Sequence, residues 1–184
     1  NIDPNRRVLG VIRPTVESIG SITQSKHVGV LATSGTINSG SYPLEIHKLY
    51  PDIVVSGEAC PMWVPLVENK EYDSPGADYF VKKHIENLIK KDTEIDTIIL
   101  GCTHYPLLLT KINQFLPKGI TVVSQGEYVA ESLKSYLRRH PEMDTLCTKN
   151  GKCKFITTES ETKFSESASA FLNEEISVEK VVIE

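Results

Sequence analysis

The stretch Thr97-Ile98-Ile99-Leu100-Gly101-Cys102-Thr103-His104-Tyr105-Pro106-Leu107-Leu108 decides how the rest of the chain is read. Its opening run, bounded by Asp96 and Gly101, is apolar and β-branched and reads as a buried strand. Pro106 followed by leucines reads as a helix with proline in its first turn. Cys102, Thr103 and His104 then fall in the turn between the two. In an open parallel sheet that turn lies at the carboxyl end of the strands, where such folds bind ligands, and the next helix points its positive end back at it. A thiol so placed is expected to be partly exposed and easier to ionise than a reference thiol of pKa about 8.5.

The same alternation recurs on both sides. An apolar run over 8–12 ends at Arg13-Pro14, and residues 15–22 suit a helix. Residues 28–32 form a clear strand pattern that runs into the hydroxyl-rich turn Thr33-Ser34-Gly35-Thr36, then a helix over 39–49. A strand over 53–55 is closed by Gly57, residues 59–68 read as irregular around Pro61 and Pro65, and Pro75 opens a helix through 91. Beyond the central stretch come a helix over 106–116, a strand over 119–123 and a helix over 127–139. A polar loop over 145–153 precedes a strand at 154–157, a helix at 161–172 and a last strand at 178–183. Strands alternating with helices of this length predict an α/β fold, a parallel sheet covered on both faces in three layers.

The bulk composition excludes several classes. With 184 residues, 40% of them hydrophobic and 24% charged, the chain is long enough for a real core. The formal net charge of −4 offers no basic excess, so nucleic acid is not an expected partner. No apolar run approaches the roughly 18 residues of a bilayer span and no leader-like segment opens the chain, so the expectation is a cytoplasmic protein with no membrane partner. Cys60, Cys102, Cys147 and Cys153 are too sparse for a disulfide scaffold. Cys147 and Cys153 lack the further ligands a metal site needs, so no metal is expected. Because residues 1–7 are polar and open without methionine, a fragment of a longer protein is expected.

The residues alone leave the chemistry open. Cys102 reads as a nucleophile with His104 as its base, as a base acting on a carbon acid, or as a small packing residue. No third group that would orient His104 is evident beside it. His104 could protonate a substrate, keep the thiol ionised, or simply cap the turn. Thr33 and Thr36 suit a carboxylate held by hydroxyls and turn amides, and equally N-capping by Thr36 of the helix that follows. Glu68 alone reads as a surface charge, and Trp63 as core or interface.

Three motifs add a resemblance. Gly101-Cys102-Thr103-His104-Tyr105-Pro106-Leu107-Leu108 resembles the second cysteine signature of the glutamate racemases, within the aspartate/glutamate racemase family. The stretch 28–37 is similar to their Gly-Val-(x)2-Thr-(x)2-Thr-Ile segment, and Ala59 to Glu68 to their Ala-Cys-Pro-x-x-Val-Pro-Leu-Val-Glu segment. The resemblance runs from Val11 through the tail. It implies a racemase-type α/β domain over 11–123, and over 124–184 the returning elements of a second, similar domain. It also implies cofactor-independent interconversion of L- and D-glutamate, supplying the D isomer for bacterial peptidoglycan. Two thiols on opposite faces of the substrate would pass the α-proton, Cys102 being the one that acts on L-glutamate. His104 and Glu68 would assist it, Thr33, Thr36 and Thr103 would contact substrate, and Cys60 would pack. His104 favours glutamate over aspartate, since aspartate racemases usually carry an acid there. A homodimer is left open.

Departures from the pattern bear on activity. The Asp-Ser-Gly loop and the Cys-Asn-Thr turn of the first domain do not occur here. The glutamate of the Val-Ile-Glu-Pro opening is Arg13, and a second Asp-Ser-Gly, after the last strand, is Ser124-Gln125-Gly126. With one of the two thiols, this chain is expected to be inactive alone. Aspartate racemase, a Cys–His hydrolase and a non-catalytic binding fragment are the alternatives.

Overall fold

The structure, a computed structural model, describes residues 7–183; all but the last residue of the polar opening at 1–7 lies outside them. Two compact units divide between Ser135 and Tyr136.

The first unit begins with α1 (Ile12–Ile22), followed by β1 (His27–Ala32), α2 (Ser34–Ser39), α3 (Ser41–Leu49) and β2 (Val54–Ala59). Next come α4 (Trp63–Glu68), α5 (Pro75–Lys91) and β3 (Thr97–Leu100). A 3-10 turn (Tyr105–Leu108), α6 (Leu109–Phe115), β4 (Thr121–Ser124) and α7 (Gln125–Arg139) complete it, α7 running on past the division. The strands form one sheet in the order β2-β1-β3-β4 with every pairing parallel. The chain steps from β1 outward to β2, then returns to β3 on the other side of β1. The order therefore reverses between β1 and β3, and the crevice outside their carboxyl ends is where such a sheet takes ligands.

Side-chain alternation builds the layers. Val28, Val30, Ala32, Ile99 and Val123 face one side, packed by Val16 and Ile19 of α1 and Tyr42 and Ile46 of α3. Leu31, Ile98 and Leu100 face the other, under Trp63 and Val67 of α4, Val81, Ile85 and Leu88 of α5, and Ile112 of α6. Both faces being covered, the three-layer α/β expectation holds, and β3 reads as an unbroken apolar run for the same reason.

Several local expectations need correction. Gly57 does not close β2, which continues to Ala59 in register with β1, because a parallel partner satisfies the glycine's backbone as well as any other. Residues 63–68 are helical rather than irregular: Pro65 sits in the first turn of α4, where its missing N–H costs nothing. The helix expected over 39–49 starts at Ser41, and the turn expected over 33–36 opens a separate short helix, α2; the two are parted at Gly40, whose φ of +63° is a left-handed value that glycine adopts freely. The helix expected from Pro106 opens as a 3-10 turn, with α6 starting only at Leu109.

At the amino-terminal edge, Asp96 ties the α1–β1 loop to β3. It accepts from Thr23 Oγ1 (2.6 Å), the backbone N–H groups of Gln24 (2.6 Å) and Ser25 (2.7 Å), and Thr97 Oγ1 (2.8 Å). Burial opposes the charge, but these donors outweigh it and bring the carboxyl down to about 2. A depressed folded-state pKa gives stability that is present above the unfolded value near 3.8 and lost as pH falls towards 2. Acid titration followed by circular dichroism is expected to show an Asp96→Asn variant losing less stability than the parent between about pH 4 and pH 2. At neutral pH the same variant is expected to be less stable by about 1 kcal/mol, partial exposure screening the rest.

The second unit, after Ser135, contains α8 (Pro141–Asp144), β5 (Phe155–Thr157), α9 (Glu161–Leu172) and β6 (Val178–Lys180). β5 and β6 pair in parallel. The last strand is shorter than the sequence predicts: Val182 and Ile183 are exposed and carry no ladder. Cys147 and Cys153 are both exposed.

Candidate active site

The switch-point crevice collects the turns that follow β1 and β3. Gly101 N–H donates to Leu31 O at 2.8 Å, so Thr33 and Cys102 leave neighbouring strand ends. The close approach needs glycine: a Cβ on residue 101 would lie 3.0 Å from the Ala32 Cβ and 3.0 Å from Tyr42 Cε2. Gly101→Ala is therefore expected to cost about 1–3 kcal/mol in urea-denaturation midpoint measurements, because the Ala32 methyl has no rotamer by which to turn aside.

Cys102 is half-buried, with Sγ 3.8 Å from His104 Nδ1. His104 Nε2 lies 3.3 Å from Glu68 Oε1, at the end of α4. The imidazole is a quarter exposed and the carboxylate more than half. The three groups thus form a line, thiol to imidazole to carboxylate, opening outward. The residues alone show no third group beside His104; Glu68, which the resemblance sets near it, stands there. Glu68 stands 36 positions earlier in the chain, as the last residue of helical 63–68.

The thiol is also harder to ionise than the turn position predicts. Burial pushes Cys102 up, and the backbone N–H groups of His104 and Tyr105 pull it back without cancelling the effect. The missing help is structural: a 3-10 turn stands where the positive end of an α-helix is expected, and α6 begins seven residues after the cysteine.

Thr33 is the N-cap of α2, its Oγ1 accepting from Thr36 N–H at 3.5 Å and facing Thr36 Oγ1 at 3.1 Å. Thr33, not Thr36, is therefore the cap, and both hydroxyls remain partly exposed at the crevice edge. Thr103 is exposed, its Oγ1 3.5 Å from His104 Nδ1.

Tyr105 bolts the turn to α4. Fully buried, it donates to Cys60 O at 3.0 Å and meets Trp63 edge-on with ring centroids 4.7 Å apart. Trp63 in turn packs against His84, which with Asn87 and Lys91 satisfies the buried Glu58. Burial would raise the Glu58 carboxyl, but these three partners hold it below its ordinary range. Cys60 is completely buried and burial pushes its thiol far up, so within the first unit Cys102 is the accessible thiol.

Sequence reasoning missed Tyr42 and Gln125. Tyr42 donates to Gln125 Oε1 at 2.8 Å, while Gln125 Nε2 donates to Leu100 O at 3.1 Å. The only available signal was that Gln125 stands where the resembled pattern has serine. Among the described residues, no group of three or more His, Cys, Asp or Glu side chains is arranged to hold a metal ion. No helix among them is long and apolar enough to cross a membrane.

The chain is similar to known proteins over most of its length. The family model described as Asp/Glu/Hydantoin racemase matches residues 7–133. The chain is 37% identical to the glutamate racemase of Shouchella clausii over 166 residues, covering 90% of this chain and 59% of that protein. It is likewise 37% identical to that of Listeria monocytogenes, covering 61% of it. The crystal structure of a glutamate racemase isoform from Bacillus anthracis superposes with a TM-score of 0.86 at 35% identity, covering 97% of this chain and 66% of that one. A Francisella tularensis glutamate racemase solved with D-glutamate gives 0.80 at 29% identity, covering 94% and 62%. The chain thus spans about 60% of the length of the curated relatives compared.

Proposed function

Because the chain belongs to the Asp/Glu/Hydantoin racemase family, we propose that it forms one wall of a glutamate racemase in which Cys102 is one of two proton-transfer thiols. The Cys102–His104–Glu68 line at the switch-point crevice is the observation that carries this reading. As thiolate, Cys102 takes the α-proton from one face of glutamate, forming an S–H bond and leaving the electron pair on the α-carbon. A second thiol, supplied from outside the first unit, returns its proton to the opposite face. Exchange of thiol protons with water, or a turnover in the reverse sense, restores both groups, so no cofactor is required. The elevated thiol has a use here: once ionised it is the stronger base towards a weakly acidic C–H.

His104, oriented by Glu68, holds the thiol's protonation state and the substrate carboxylate, while Thr33, Thr36 and Thr103 contribute hydroxyls to that carboxylate. Residues 11–123 act as the racemase domain and 124–184 as returning elements of a second one. Alone, the chain has one base and does not racemise. The complete protein acts in the cytoplasm, supplying D-glutamate for peptidoglycan.

Chiral analysis of a substrate panel without pyridoxal phosphate tests this reading. Completed by the first-domain half, the chain is expected to racemise glutamate well ahead of aspartate. His104→Asn is expected to lower kcat about a hundredfold. Faster turnover of aspartate would reassign the substrate.

A second reading is favoured by the order of the line, since thiol, imidazole and carboxylate in sequence are also the parts of a cysteine hydrolase. It requires an acyl-enzyme, detectable as a mass increment on Cys102 with ester or amide substrates. The racemase reading requires that none accumulate.

A further inference from the structure

Tyr42, Thr15 and Gln125 form a polar cluster on the face of the sheet opposite α4. Gln125 Nε2 donates to Leu100 O at 3.1 Å, and Oε1 accepts from Tyr42 OH at 2.8 Å and Thr15 Oγ1 at 3.5 Å. Leu100 is the last residue of β3, two before Cys102. Its register partner Ser124 is the last residue of β4, and the chain turns into α7 at the next position. The side-chain amide therefore supplies the β3–β4 ladder with one donor beyond the strand end. The Tyr42 ring presses on Gly101, where a Cβ would meet Cε2 at 3.0 Å and the hydroxyl at 3.2 Å. Burial and the nearby Cys102 push the Tyr42 hydroxyl up to about 12, although the Gln125 bond works the other way, so it remains a donor at ordinary pH.

We infer that Gln125 is a positioning residue for Cys102, fixing the thiol at the crevice edge through the Leu100 carbonyl and, by way of Tyr42, through Gly101. The carboxamide suits the position because its separate ends reach both sides at once, Nε2 donating to the carbonyl and Oε1 accepting from the hydroxyls. A carboxylate keeps the acceptors, loses the donor, and sets charge against the carbonyl. Leucine loses both, whereas Tyr42→Phe spares the bond to Leu100. The inference deepens the reading of Cys102 as a proton-transfer group, but one of its tests is independent of that reading.

The first test is alkylation of Cys102 by iodoacetamide in this chain, followed by peptide mass. Gln125→Leu is expected to raise the rate about threefold or more, as the half-buried thiol loosens, and Gln125→Glu, which loses the same donor, to raise it too, but less because its charge opposes ionisation of the thiol. Tyr42→Phe is expected to raise it less. The second test is glutamate racemisation by the completed protein, in which both Gln125 variants are expected to lose about tenfold in kcat with KM within about twofold. A merely structural role would lower the melting temperature and leave alkylation and the kcat of folded protein unchanged, and that result overturns the inference. Absence of racemisation in the parent protein would refute only the functional reading, because the alkylation rates still decide. If Gln125→Leu does not fold, Gln125→Glu and Tyr42→Phe carry the same comparison.

Discussion

Cys102→Ala is expected to leave the fold intact and abolish racemisation by the completed protein, a loss of more than about 10⁴ in kcat. The side chain removed is small and half-buried, so little packing is lost, and circular dichroism melting should move only slightly. What disappears is the only accessible thiol of the first unit, Cys60 being completely buried. Cys102→Ser should be nearly as inactive, because a hydroxyl ionises far less readily than even an elevated thiol. His104 and Glu68 do not replace it: their line ends at the sulfur, and neither is placed by these contacts to take a proton in its stead.

Trp63→Ala is expected to be the most damaging single change to stability, costing about 3–5 kcal/mol in urea unfolding followed by circular dichroism. Trp63 is completely buried and donates to Phe80 O at 3.4 Å. It also touches two elements of the site's support, His84 beside Glu58 and Tyr105 behind the Cys102 turn. Against a typical total stability of 5–15 kcal/mol, such a loss leaves a marginal fold. Because α4 hangs on this side chain and ends at Glu68, the variant should also lose the Glu68–His104 contact. Trp63→Phe, which fills most of the space, is expected to recover most of both. As the chain's single tryptophan, Trp63 also makes parent unfolding directly visible by fluorescence.

The sheet was legible because its signals are local. The apolar runs of β1 and β3 are as continuous as strands buried on both faces must be, and the proline and serine at 74–75 mark the start of α5, with Ser74 capping it at Ala77 N–H. Boundaries that depend on tertiary partners were misread. Gly57 ends a strand in isolation but not beside β1, and α4 forms around Pro65 because Trp63 and Val67 have a core to enter. The site divides in the same way. Cys102, Thr103 and His104 are three consecutive residues in one turn and could be read together. Glu68 reached them through a motif rather than through any physical pattern, and the pairing of Tyr42 with Gln125 has no local signature, since nothing local brings residues 83 positions apart to 2.8 Å. The thiol's acidity failed for a related reason: it depends on whether a full α-helix follows, and Tyr105 to Leu108 make a 3-10 turn instead.

The central claim is that Cys102 is half of a two-base pair. It is tested most directly by incubating L-glutamate in deuterium oxide, without added cofactor, with this chain alone and with the chain completed by the first-domain half, and following the α-proton by NMR and the enantiomers by chiral chromatography. The completed protein is expected to produce deuterated D-glutamate, and the chain alone to produce no D-glutamate. Full racemisation by this chain alone would contradict the account.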